Sequence, residues 1–131
     1  HSVGNHSYSH ANGLNTPTSA YIADIEKAQK FIDSTLFRPP YGKMKPKQHK
    51  RLTKMGFKTV FWSHISYDFD STLASSERVE KALNFVKSGS VVVFHDSTKA
   101  FSQLKNELPL LLDKWSKSGF KFEAINLNPK L

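Results

Sequence analysis

The 131 residues, 38% hydrophobic and 12% aromatic, supply enough apolar mass for one core, so positions 1–131 read as one domain. Nineteen Lys and Arg against 11 Asp and Glu give a formal charge of +8, which suits anionic surroundings without naming a partner. With no cysteine, disulfides, thiolate metal sites and cysteine nucleophiles are excluded, and no apolar run approaches the ~20 residues that cross a bilayer.

The chain opens His1-Ser-Val-Gly-Asn-His6-Ser-Tyr-Ser-His10, without a basic-then-apolar leader, and reads as a mature or clipped piece of a longer protein. His6 and His10 stand four residues apart, a spacing that brings two imidazoles to one side of a helical turn and lets them share a metal ion. Thr16 and Pro17 then predict a helix start, with Tyr21, Ile22, Ile25, Ala28, Phe31 and Ile32 as its apolar stripe. A short strand over 35–38 runs into Pro39-Pro40-Tyr41-Gly42, where the chain must turn. Pro46 opens a second helix that reaches about Met55 and stops at Gly56. The basic run from Lys43 to Arg51 reads as a solvated helix face, and nothing beside it provides the aromatic stacking of a nucleic-acid site.

A β-branched and aromatic strand is predicted over 57–62, followed by a polar segment holding Tyr67-Asp68-Phe69-Asp70. Ser75 or Ser76 caps a third helix carrying Val79, Ala82, Leu83 and Val86, which Gly89 ends. Ser90-Val-Val-Val-Phe94 reads as a parallel strand buried on both faces and delivers His95 and Asp96 at its end. A last helix with Pro109 in its first turn, then a strand over 120–127, complete the pattern. Alternating strands and helices predict an α/β fold with a parallel sheet, open or closed into a barrel. In such sheets chemistry gathers after the strand C-terminal ends, where His6 and His10, Arg38 and Tyr41, Asp68, and His95 and Asp96 all fall. Each also has a plainer role: Arg38 as a surface cation, Tyr41 as a turn aromatic, Asp68 as a cap, His95 as a buried imidazole. His1, His49 and His64 have no such context, and no phosphate loop or nucleotide motif is present.

Taken together, His6-Ser-Tyr-Ser-His10, Phe37-Arg-Pro-Pro-Tyr-Gly42, Trp62-Ser63 with Asp68-Phe69, and Val93-Phe-His-Asp96 resemble, in order, the motifs of the NodB homology domain of the polysaccharide deacetylases, carbohydrate esterase family 4. The resemblance implies a distorted (β/α) barrel whose N-terminal strands lie outside this chain. It implies a metal-dependent hydrolase removing acetyl from an N-acetylated polysaccharide such as peptidoglycan or chitin, working outside the cytoplasm. His6 and His10 become ligands of a divalent metal, zinc being the expected occupant, and His95 the acid that protonates the departing amine. Arg38 and Asp68 become catalytic partners that tune the base, while Tyr41, Pro40, Phe69 and Val93 contact substrate, Tyr41 through its backbone N–H. The family's Asp-Asp pair, which supplies the base and a third metal ligand, has no counterpart here, and Phe69 stands where the family has Trp. The fragment alone is therefore expected to be inactive and to associate with the missing segment or another chain. The other reading is a catalytically silent glycan-binding module on the same fold.

Overall fold

The computed structural model describes residues 1–126, which form two compact units: His1–Phe61 with the stretch from Glu123 on, and Trp62–Phe122. In the first unit the stripe of α1 (Thr18–Gln29) buries Tyr21, Ile22, Ile25 and Ala28. The stripe stops there, since Phe31 is 77% exposed. Pro17, not Thr16, is the capping residue, because the Thr16 hydroxyl donates instead to the Asn12 carbonyl at 2.7 Å. Strand β1 (Leu36–Phe37) pairs in parallel with β2 (Lys58–Thr59), Leu36 opposite Lys58 and Phe37 opposite Thr59, with α2 (Pro46–Lys54) as the crossover. Phe37 meets Tyr21 and Phe57 edge-on, with ring centroids 6.3 and 6.2 Å apart, and Leu52 of α2 closes this core.

Gln48, inside the basic run, is fully buried: its amide donates to the Gly13 and Thr16 carbonyls and its oxygen accepts the Lys45 N–H. Gly13 makes that approach possible, since a Cβ there would lie 2.6 Å from the Lys43 carbonyl oxygen.

In the second unit β3 (His64–Ile65) pairs in parallel with β4 (Val92–Val93), and α3 (Ser75–Phe85) connects them. The third strand is thus a feature that the sequence did not announce, and the expected strand over 57–62 shortens to Lys58–Thr59. Neither Ser75 nor Ser76 caps α3; Ala74 is its N-cap residue, without a side-chain bond. Helix α4 (Phe101–Lys117) begins eight residues before Pro109, which sits inside it. Its start is set at Ser97, whose hydroxyl and carbonyl both take the Ala100 N–H, a serine turn that leads into the helix. Ala82, Leu111 and Trp115 form the core of this unit, flanked by Val79, Val86, Val92, Phe94 and Phe120. Val92 is only half-buried, so β4 is less enclosed than expected. Residues 120–126 form no strand, and Leu127 lies outside the described residues. The parallel α/β expectation is met as two separate two-stranded sheets. No described helix is long and apolar enough to cross a membrane.

Candidate active site

In the first unit, Asn5 forms a parallel bridge to Phe37: its N–H donates to the Leu36 carbonyl at 2.8 Å, and its carbonyl takes the Arg38 N–H at 2.9 Å. The residues that follow each partner must then emerge side by side. They do: the His6 Nδ1 lies 2.5 Å from the Arg38 carbonyl oxygen. A carbonyl only accepts, so Nδ1 carries the proton and Nε2 is the nitrogen with a lone pair for a metal. The His10 ring stands 5.0 Å from His6 and 4.7 Å from Tyr41, both edge-on.

The i, i+4 pair does not lie on a helical turn. Residues 6–10 are a loop in which Ser7 (φ 62) and His10 (φ 57) take left-handed conformations, and this folding back brings the imidazoles together. Two residues that the sequence reading passed over hold the loop. Asn5, 1% exposed, donates to the Ile25 carbonyl and the Gln29 side chain, and its Oδ1 accepts the Ser7 N–H at 2.9 Å. Asp24 accepts the Tyr8 and Ser9 N–H groups at 3.0 and 3.1 Å. Burial alone would raise its pKa, but these donors, with the Ser9 and Ser7 side chains, hold the carboxyl below its ordinary value.

Pro40 is buried and Tyr41 is 58% exposed, at φ 59 in a 3₁₀ turn over Pro40–Gly42. The turn uses the Gly42 and Lys43 N–H groups, which donate to the Pro39 and Pro40 carbonyls, and leaves the Tyr41 N–H outside that ladder. Arg38 is partly buried, which disfavours its charged form.

In the second unit the parallel register sets Ile65 opposite Val93, so the chain ends beyond β3 and β4 also emerge together. Asp68, fully buried, receives the His95 backbone N–H on Oδ2 and faces the His95 Nδ1 through Oδ1, both at 2.7 Å. The carboxylate fixes the proton on Nδ1 and turns Nε2 outward as the atom able to exchange a proton. Phe69 meets the His95 ring edge-on at 4.9 Å. Val93, 6% exposed, packs in β4 two residues before His95.

Arg78 is the other residue missed, a guanidinium only 5% exposed. Its Nε and one terminal nitrogen grip the Glu107 carboxylate, the shortest contact being 2.5 Å, while the other terminal nitrogen donates to the Asp70 and Leu73 carbonyls. The loop that follows Asp68 is thereby tied to α3 and α4. An isolated Arg in mid-helix reads as a surface residue, so no local signal could have found it.

His6 and His10 fit a divalent ion as two of its ligands by donor type, tautomer and proximity. Among the described residues no group of three His, Cys, Asp or Glu is arranged to hold one.

Residues 1–60 match the polysaccharide deacetylase family. The chain is 30% identical to a peptidoglycan-N-acetylglucosamine deacetylase of Bacillus cereus, over 96% of this chain and 62% of that protein. It is also 30% identical to chitin deacetylase 2 of Saccharomyces cerevisiae, over 76% of this chain and 36% of that one. It therefore spans less than two thirds of the length of these relatives. Its fold superposes with TM-score 0.78 and 22% identity on the polysaccharide deacetylase Bc1974 of Bacillus cereus, covering 99% of this chain and 69% of the other. A family 4 carbohydrate esterase pseudoenzyme of Bacillus anthracis gives TM-score 0.78 and 19% identity, covering 91% and 43%. With the four motifs in order on this fold, the chain belongs to the polysaccharide deacetylases of carbohydrate esterase family 4, the NodB homology family.

Proposed function

We propose that the chain is part of a metal-dependent hydrolase that removes acetyl from N-acetylated amino sugars of a peptidoglycan-like or chitin-like polysaccharide, outside the cytoplasm. Both compact units belong on this reading to one NodB-like domain over 1–131. The observation that carries it is the buried Asp68 carboxylate holding the His95 ring at 2.7 Å, a pairing suited to an acid that protonates a departing amine. The names of the two deacetylase relatives support the substrate class.

A divalent ion, zinc by preference, with His6 and His10 among its ligands would supply Lewis-acid polarisation of the acetyl carbonyl and a lowered pKa for the attacking water. The third ligand and the catalytic base are then acidic groups outside these 131 residues. His95 gives the proton on Nε2 to the amine nitrogen as the C–N bond breaks, leaving acetate and a free amino sugar. Asp68 keeps the ring oriented, with Nδ1 turned to the carboxylate and Nε2 left to act. The Tyr41 backbone N–H donates to the carbonyl oxygen as negative charge develops there. Arg38 orients the base and half-buried Phe69 forms a wall beside the sugar, whereas Pro40 and Val93, expected as substrate contacts, are buried and instead fix the turn and the strand end.

The experiment is acetate release from an N-acetylglucosamine oligomer by the protein expressed from its full coding sequence with zinc supplied. Turnover is expected, and His95→Asn should lower it ~10²-fold or more with metal content intact. The 131-residue chain alone should release none. Tight oligomer binding by the full protein without any acetate release would replace hydrolysis with the glycan-binding reading.

A further inference from the structure

The positive charge of this protein is segregated. Residues 1–61 hold ten Lys and Arg against three Asp and Glu, while residues 62–122 hold eight against seven. No acidic residue occurs between Asp33 and Asp68, the stretch that contains α2. On α2, Lys47, Lys50, Arg51 and Lys54 are all exposed and follow an i, i+3, i+4, i+7 pattern, which puts them on one helix face. The opposite side of the helix is fixed by buried Gln48 and Leu52. None of the four basic side chains has an ion-pair partner among the described residues.

The helices of the second unit are built differently. On α3 Lys81 is paired with Glu77 at 2.6 Å, and on α4 Lys117 with Asp113 at 2.7 Å, each four residues apart. Helix α2 instead carries like charges at every such spacing, each pair repelling, and puts Lys47 in its first turn, where the helix dipole disfavours a cation. A face that retains this repulsion with no internal counter-charge is complementary to an external polyanion.

We propose that the α2 face, Lys47, Lys50, Arg51 and Lys54, docks a linear phosphodiester polymer without nucleobases. Four cations over eight helical residues span about 10 Å of axis, which calls for closely spaced negative charge. A phosphodiester chain has that density, and a sparsely carboxylated glycan does not. Helix α2 carries no Phe, Tyr or Trp on which bases could stack, and its one imidazole, His49, stands about 150° around the helix from the basic face. Nor does it offer an apolar edge for insertion into lipid, because its one large apolar residue, Leu52, is fully buried. The proposal stands independently of the deacetylase reading.

The test uses the full 131-residue chain and poly(glycerol phosphate) as probe, with affinity followed against salt. Binding should weaken as salt rises, with a slope of ~0.7 per phosphate neutralised. A variant with Lys47, Lys50, Arg51 and Lys54 all changed to Gln should bind on the order of 10²-fold more weakly at low salt and lose about 3 from that slope. A control with Lys87, Lys99, Lys105 and Lys114 changed to Gln has the same net charge and should stay within a few-fold of wild type. Equal losses in the two variants would reduce the effect to net charge and overturn the proposal. Tighter binding to single-stranded DNA of equal length, or to vesicles with a third anionic lipid, would overturn it in favour of a nucleic acid or a membrane. Far-UV circular dichroism checks that both variants keep their helices.

Discussion

Asp68 holds His95 at two points, the backbone N–H on one carboxylate oxygen and the ring Nδ1 on the other, both at 2.7 Å. Asp68 is fully buried and both its oxygens meet His95, so it decides where the imidazole stands. Asp68→Asn keeps the size of the side chain but replaces one of the two oxygens that hold His95 with an amide donor. In the complete enzyme it should lower kcat ~10²-fold or more with KM nearly unchanged, because the loss falls on proton transfer. Steady-state kinetics on an N-acetylglucosamine oligomer decide it, and an unchanged kcat would separate Asp68 from the proton-donating step.

That pairing also marks the limit of what the sequence made legible. Each motif was visible locally, because a proline-rich turn or an apolar run ending in His-Asp is written in neighbouring residues. The partner of each motif was not. Strand β3 is two residues in a polar stretch, without β-branched periodicity, and only its long-range register, Ile65 opposite Val93, puts Asp68 beside His95. The same holds at Asn5, whose bridge to Phe37 decides that His6 meets Arg38. The His6 and His10 spacing read as a helical turn because spacing alone does not distinguish a helix from a loop with two left-handed residues. A proline in an amphipathic run looks like a helix start, yet α4 begins eight residues before Pro109 because a serine turn at Ser97 sets it.

Arg78 and Glu107 form an ion pair with both side chains about 5% exposed. Removing one member strands the other charge inside the second unit, so Glu107→Gln should destabilise the protein by about 3 kcal/mol in urea unfolding. Arg78→Met with Glu107→Leu removes both charges and should recover much of that loss, short of what the Asp70 and Leu73 carbonyls lose with the guanidinium. A double variant as unstable as Glu107→Gln alone would show that the carbonyl contacts, not the ion pair, hold the loop.

Tyr21 is fully buried, its hydroxyl has no hydrogen-bond partner among the described residues, and burial, helped by the Asp24 charge, pushes its pKa up to about 12. In the unfolded chain a tyrosine ionises near pH ~10. Between those values the unfolded state binds fewer protons than the native one, so stability falls as pH rises. Tyr21→Phe should remove this part of the alkaline loss. At neutral pH it should be neutral or stabilising by up to ~1 kcal/mol, since the buried hydroxyl gains nothing from a partner. Denaturation midpoints of the two proteins, compared from pH 7 to 12, should diverge above pH 10 with the Phe variant higher; parallel curves would refute the burial argument.

The His6 and His10 loop makes the last prediction. Its two rings are 5.0 Å apart because Asn5 and Asp24 fold residues 6–10 back on themselves, not because either imidazole is held by a helix. His6→Ala or His10→Ala should therefore abolish most zinc binding by the 131-residue chain, whereas His49→Ala, on the exposed face of α2, should leave it intact. Asp24→Ala touches neither ring but releases the Tyr8 and Ser9 N–H groups, and loss of such an outer support commonly costs 10- to 100-fold in metal affinity. Competition against a chromophoric chelator measures all four variants, with thermal unfolding to confirm that each remains folded. If His6→Ala and His10→Ala bind zinc as wild type does, the loop is not a metal site. If only Asp24→Ala does, the ligands are right and the loop needs no anchoring by Asp24, leaving Asn5 to set the distance between the imidazoles.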